Sequence, residues 1–236
     1  MNLIPVAALV ILTACGGGEN QRVEKDAKAL TKEEQARLTP AGVIEILKNG
    51  NQVFENNKLT VRNSTELVRD AAKGQYPMAV ILSCLDSRVP VEDVFHCAIG
   101  DIFVARVAGN IVNVDILGSM EFACAASGAK LVMVLGHGSC GAVKSAIDDV
   151  ELGNITEMLS KIKPAVNECK AHFEGETTAA NAKFVETVGH ANVALAVTEI
   201  RRNSPILKEM EEKGQIKIIG AYYDLHTGKV DFFENL

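Results

Sequence analysis

The sequence predicts an α/β fold: a mainly parallel central β-sheet flanked by helices, with an N-terminal helical arm. Two observations lead there. Residues 78–85, 102–107 and 131–135 are apolar runs interrupted only by Ser83 and Arg106, and the first and third pass directly into polar residues. Between the second and third, residues 116–126 carry apolar side chains at helical spacing. Strands that read as near-continuous apolar runs and alternate with helices are buried on both faces of a parallel sheet. At 236 residues and 47% hydrophobic content, the chain is large enough for one such core.

The chain opens on an apolar run, residues 3–14, short of the ~20 residues that span a bilayer. The run ends in Leu12-Thr13-Ala14, and Cys15 and then Gly16-Gly17-Gly18 follow it, which resembles a bacterial lipoprotein signal with a flexible tether. No Lys or Arg precedes the run, so the terminal amine alone supplies positive charge. This resemblance implies a signal segment over residues 1–14, lipidation at Cys15 and a polar tether over 15–38. It also implies a place in the cell envelope, anchored by lipid and facing the periplasm or exterior. The alternative is a cytoplasmic protein. Thr31 and Glu34 have the spacing of a capping box, so a short helix can interrupt the tether.

Thr39-Pro40 reads as an N-cap with proline at the first helical position, opening a helix over about residues 40–55. Its apolar face, Val43, Ile44, Ile46 and Leu47, needs cover from its own sheet or from a partner subunit. After the three strands, residues 142–150, 155–173 and 179–203 have helical patterning. Residues 216–225 and 229–233, joined through His226-Thr227-Gly228, read as a terminal hairpin. The formal charge of −6, with no block of five or more Lys and Arg, excludes a nucleic-acid or anionic-membrane footprint.

Two polar stretches follow the first and third strands. They are Ser83-Cys84-Leu85-Asp86-Ser87-Arg88 and Gly136-His137-Gly138-Ser139-Cys140-Gly141. Open parallel sheets bind ligands at the C-terminal ends of their strands, so both stretches stand where a site belongs. Cys84, His137 and Cys140 are ligand types that zinc prefers, and three protein ligands leave a fourth position for water. Cys140 stands at a helix start, where free backbone N–H groups favour a thiolate. Two thiolates neutralise Zn²⁺ and weaken its effect on bound water. Asp86 can compensate by accepting a hydrogen bond from a zinc-bound hydroxide, with Arg88 holding the carboxylate ionised and oriented.

Each residue alone has a plainer reading: a structural histidine, a buried cysteine, a surface ion pair. As a set they leave open a non-catalytic zinc module in which Asp86 is a permanent fourth ligand. Five cysteines follow Cys15 and cannot all pair; with two on the metal, Cys97 and Cys124 read as buried hydrophobes.

Cys84-x-Asp86-Ser87-Arg88 together with His137-x-x-Cys140 resembles the β-class carbonic anhydrase signature, and the likeness extends over about residues 43–233. Phe103-Val104-Ala105-Arg106 through Gly109-Asn110, and Met120-Glu121-Phe122-Ala123, also fit, with Val107 where asparagine is usual. The resemblance implies a carbonic anhydrase domain over residues 39–236. Its reaction is reversible hydration of CO₂ to bicarbonate and a proton by zinc-bound hydroxide. Cys84, His137 and Cys140 bind Zn²⁺, and Asp86 and Arg88 form the catalytic dyad, with Asp86 also able to swing onto the metal.

By the same likeness Gln75 hydrogen-bonds substrate, Phe103 and Phe122 wall a CO₂ pocket, and Gly141 contributes to substrate binding. A homodimer or dimer of dimers is implied, with the N-terminal helix lying across the partner. Arg106 matches an arginine of an inhibitory bicarbonate site found in some relatives. Ile81 stands at that site's tryptophan position, and the chain has no tryptophan at all, which argues against that mode. Hydrolysis of carbonyl sulfide or carbon disulfide on the same zinc site is the chemical alternative.

Overall fold

The computed structural model describes residues 30–58 and 64–236. The expected signal segment, the expected lipidation site Cys15 and the expected tether up to residue 29 lie outside the described residues. Helix α1 (Lys32–Arg37) starts in the expected capping box. Thr31 Oγ1 accepts from Glu34 N at 3.2 Å, and Glu34 Oε2 accepts from Thr31 N at 2.7 Å. This segment is docked rather than tethering. Gln35 is buried and its Nε2 donates to Pro77 O at 2.7 Å and Ser127 O at 2.8 Å, while Leu30 and Leu38 pack on the core. The folded unit therefore includes residues 30–38 as well as those from Thr39 on; one buried amide that satisfies two carbonyls was hidden in a charged stretch.

Helix α2 (Pro40–Glu55) is capped by Thr39, whose hydroxyl accepts from Gly42 N at 3.1 Å. Val43, Ile44 and Leu47 share one cluster with Met78, Ile81, Phe95 and Tyr223. Val43, Ile44 and Leu47 are thus spent on the chain's own sheet, one of the two covers the sequence left open, while Ile46 of the same face stays 37% exposed. Gly50 makes the close approach possible, since a Cβ there would stand 1.9 Å from Phe95 O. Buried Asn51 fixes the docking: its Nδ2 donates to Val94 O and Gly228 O at 3.2 and 2.9 Å, and its Oδ1 accepts from Val230 N at 2.9 Å.

Helix α3 (Ser64–Ala71) is an element the sequence reading lacked; Leu67 anchors it. Next come β1 (Ala79–Ser83), the single turn α4 (Val91–Val94), β2 (Ile102–Arg106) and α5 (Val114–Glu121), which continues as a π-helical turn over Phe122–Ala126. Strand β3 (Leu131–His137) runs two residues past its apolar run, because Gly136 and His137 still pair with Tyr222 and Tyr223. Helix α6 (Gly141–Ile147) follows. The helix expected over 155–173 is two, α7 (Asn154–Ser160) and α8 (Lys163–His172). Pro164 lies in the first turn of α8, where a missing N–H is tolerated but continuation from the preceding turn is not. The chain closes with α9 (Ala182–Asn203), α10 (Pro205–Glu212), β4 (Lys217–Tyr223) and β5 (Val230–Phe233).

The sheet order is β2-β1-β3-β4-β5, parallel except for the antiparallel β4–β5 hairpin. Alternation along each strand divides the core. Ala79, Ile81, Leu131 and Met133 face the α2 side, and Val80, Leu82, Val132 and Val134 face α5, α9 and α10. A third cluster beneath α6 to α9 takes in Cys84 and Cys140. The five cysteines among the described residues are buried and in no disulfide, Cys97 and Cys124 among them. Among the described residues no helix is long and apolar enough to cross a membrane.

The strand order places the site. From β1 the chain moves to one side, to β2, and then crosses to the other, to β3. The C-terminal ends of β1 and β3 therefore flank the switch point where open α/β sheets hold their ligands. Cys84 is the first residue past β1, and His137 is the last of β3.

Candidate active site

At that switch point the ligand atoms of Cys84, His137 and Cys140 all lie within 4.8 Å of one another, and all three residues are buried. The two sulphurs are 3.9 Å apart. Tetrahedral zinc with Zn–S bonds of about 2.3 Å spans its thiolates by about 3.8 Å, so the pair already has the right separation. His137 Nδ1 lies 2.9 Å from Gly138 O. Donation to that carbonyl fixes the tautomer and leaves Nε2 bare. Nε2 is one of three buried side-chain N/O atoms without a hydrogen-bond partner among the described residues, with Ser83 Oγ and Asn110 Nδ2. A buried nitrogen left unsatisfied is costly unless a ligand uses it, and a metal between the thiols does. The donor set fits zinc.

The thiols are prepared for that charge. Cys84 Sγ accepts from Gly109 N at 3.3 Å. Its pKa is pulled down to about 4, first by the Cys140 thiol that hydrogen-bonds it, then by His137 and Gly109. Cys140 is pushed up as the partner in that bond and by burial, so Cys84 ionises first.

Asp86 stands beside this trio. Its Oδ2 is 3.8 Å from His137 Nε2. Arg88 holds the carboxylate through Nε to Oδ1 at 2.9 Å, Nη2 to Oδ2 at 2.7 Å and its backbone N–H to Oδ1 at 3.0 Å. These bonds keep Asp86 well below the usual carboxylate range. Asp86 is therefore committed to Arg88 and is not part of the three-residue cluster, although the sequence reading also placed it among the metal ligands. A cavity of about 410 Å³ opens over the group, lined by Cys84, Asp86, Arg88, Ala108, Gly141 and Ala142 among others.

Other expected substrate residues stand elsewhere. Gln75 is exposed, ahead of the N-terminal end of β1, a strand length from Cys84. Phe103 pairs with Val80 early in β2 and meets Phe122 edge-on at 6.4 Å, away from the cavity lining. Within one chain, Gly141 is the member of that set the structure brings to the cavity; Gln75, Phe103 and Phe122 it does not.

Arg106 has a role the sequence reading missed. Its Nε donates to Cys84 O at 3.0 Å and its Nη2 to Asp86 O at 2.5 Å, so it pins the turn that carries both residues. The available signal was a cation directly ending the apolar run of β2.

A parallel α/β fold with a Cys–His–Cys set at its switch point, and a carboxylate–guanidinium pair beside it, defines a metalloenzyme-type centre. Residues 79–230 match the family described as carbonic anhydrase, and the chain belongs to that family, in its β-class. It is 32% identical to carbonic anhydrase 2 of Mycobacterium tuberculosis over 196 residues, 80% of this chain and 91% of that protein. Identity to the carbonic anhydrase of Mycolicibacterium smegmatis is 30% over 203 residues, 84% of this chain and 95% of that protein. Among solved structures, the Coccomyxa β-carbonic anhydrase in complex with acetazolamide superposes with a TM-score of 0.64 at 26% identity, covering 72% of this chain and 77% of that one. A tetrameric β-carbonic anhydrase of Sordaria macrospora shares the fold, with a TM-score of 0.64 at 22% identity, covering 80% and 96%.

Proposed function

We propose that this carbonic anhydrase is zinc-dependent, that Cys84, His137 and Cys140 hold the ion, and that Asp86 with Arg88 controls the position over it. The observation that carries the reading is the bare, buried Nε2 of His137 between two thiols already spaced for tetrahedral zinc. When bound, zinc acidifies a water and so supplies the nucleophile for CO₂ at near-neutral pH. Asp86 accepts a hydrogen bond on the Oδ2 lone pair that Arg88 leaves open, and so orients the donor in the cavity. Arg88 keeps Asp86 ionised and its carboxylate engaged, with Oδ2 3.8 Å from His137 Nε2. Arg106 holds the backbone of Cys84 and Asp86 in register. Gly141, in the cavity wall and at the start of α6, lies where bicarbonate leaves.

Carbonic anhydrase activity distinguishes this centre from a non-catalytic zinc module, and the bonds from Arg88 to both Asp86 oxygens oppose the fourth-ligand role such a module needs. The direct test is stopped-flow CO₂ hydration by zinc-loaded protein, beside Asp86→Ala at equal zinc content. Wild-type turnover with a large loss in the variant supports the reading; equal rates overturn the role of Asp86. Carbonyl sulfide and carbon disulfide, offered to the same preparation, decide whether either is the better substrate.

Assembly and location belong to the same proposal. An oligomer is favoured by the tetrameric Sordaria relative's fold and by apolar side chains left in solvent around the β2 edge, with Leu85 66% and Phe122 56% exposed. Gln75 serves a Cys84 site only from a second copy. Sedimentation showing an active monomer contradicts this. Anchoring through Cys15 rests on the Leu12-Thr13-Ala14-Cys15 pattern; labelled fatty acid incorporated by wild type but not by Cys15→Ser supports it, and equal labelling overturns it.

A further inference from the structure

The hydrogen bond from Gly109 N–H to the Cys84 sulphur depends on an unusual turn. Residues Ala108–Asn110 form one 3₁₀ turn in which Gly109 has φ +72° and Asn110 has φ +42°. Only glycine fits the first position without strain, and a Cβ there would also stand 2.5 Å from Ile162 Cδ1. Two left-handed residues in succession need an external anchor. That anchor comes from α9: Asn192, 2% exposed, donates from Nδ2 to Gly109 O at 2.8 Å. Asn192 is 83 positions from Gly109 in sequence and belongs to neither ligand motif.

We propose that Asn192 is a positioning residue for the metal centre, holding Gly109 so that its N–H stays aimed at the Cys84 thiolate. The inference rests on the zinc reading above and deepens it. Two thiolates cancel the charge of a divalent ion. An N–H dipole on one of them draws electron density back from the metal, which leaves the ion more electrophilic and the Cys84 side chain fixed in its ligating direction. Asn192 thus acts on the metal through a backbone amide, with no contact of its own to ligand or substrate.

Co²⁺ loaded into the full chain in place of zinc reads this directly, through the thiolate-to-cobalt charge-transfer band and through chelator competition. In Asn192→Ala the band moves to longer wavelength, because sulphur lone pairs without the N–H lie higher in energy, and Co²⁺ affinity falls about 10- to 100-fold. Asn192 already lines a cavity of about 530 Å³, and Asn192→Leu, near in size and without a donor, gives the same result if the alanine variant fails to fold. Asn51→Ala is the control. It removes another buried asparagine with two donated bonds, and it lowers thermal stability while leaving the band in place. If wild type takes up Co²⁺ without a thiolate band, the metal reading itself fails. If wild type has the band and the foldable Asn192 variants keep it unmoved, or Asn51→Ala moves it equally, the metal reading stands and the role of Asn192 is overturned.

Discussion

Arg88 clasps Asp86 through both carboxylate oxygens, two residues apart on one turn, and the same Nη2 that holds Oδ2 at 2.7 Å also reaches Ser139 O at 3.4 Å. One guanidinium therefore joins the turn after β1 to the turn after β3, the two segments that supply the thiols. The clasped carboxylate keeps its Oδ2 3.8 Å from His137 Nε2, and under the proposed function the clasp holds it off the metal position.

Removing the clasp has a defined outcome. Arg88→Ala keeps its zinc, because no ligand changes, but loses about 10- to 100-fold in CO₂ hydration at every pH from roughly 7 to 9. Arg88→Lys recovers little, since an ammonium cannot make the parallel pair of bonds. Stopped-flow rates at matched zinc content test this; a wild-type rate in either variant contradicts it.

Gln35 carries a stability prediction. Its amide closes two buried or half-buried carbonyls from the loops before β1 and β3. Gln35→Ala leaves them unmet and costs about 1–3 kcal/mol in chemical denaturation. An unchanged midpoint shows instead that α1 only rests on the surface.

Stability falls in mild acid through His190. The ring stacks on Tyr222 at 4.0 Å, and burial lowers its pKa from the ordinary 6.5, outweighing the nearby carboxylates of Glu186 and Asp231. The unfolded chain therefore binds this proton first as pH drops. Stability is whole above about 6.5 and declines as pH falls through the lowered folded value. Melting temperatures at pH 7.5 and 5.5 drop less in His190→Phe than in wild type; equal drops remove His190 from the account.

The sheet was legible because β1 and β3 are buried along their whole length and so leave long apolar runs, and Cys84 and His137 were legible because one directly follows β1 and the other ends β3. What escaped depends on contacts that pattern does not carry. Gln35 sits in a charged segment and only its tertiary partners make it a core residue. Leu67 in α3 is a single buried anchor in a polar stretch. Within one chain β1 places Gln75 at the far end of the strand from Cys84, and Phe103 and Phe122 meet each other at the β2 edge, a placement that residue type does not carry. Asn192 reaches the centre through a backbone carbonyl, a link with no sequence spacing at all.

Zinc K-edge X-ray absorption on the purified full chain bears most directly on the central claim that Cys84, His137 and Cys140 hold the ion. The account predicts two sulphurs at about 2.3 Å, one imidazole nitrogen at about 2.0–2.1 Å and one further light atom, with one sulphur lost in Cys140→Ala wherever metal remains. A shell with no sulphur, or one unchanged by that substitution, contradicts it.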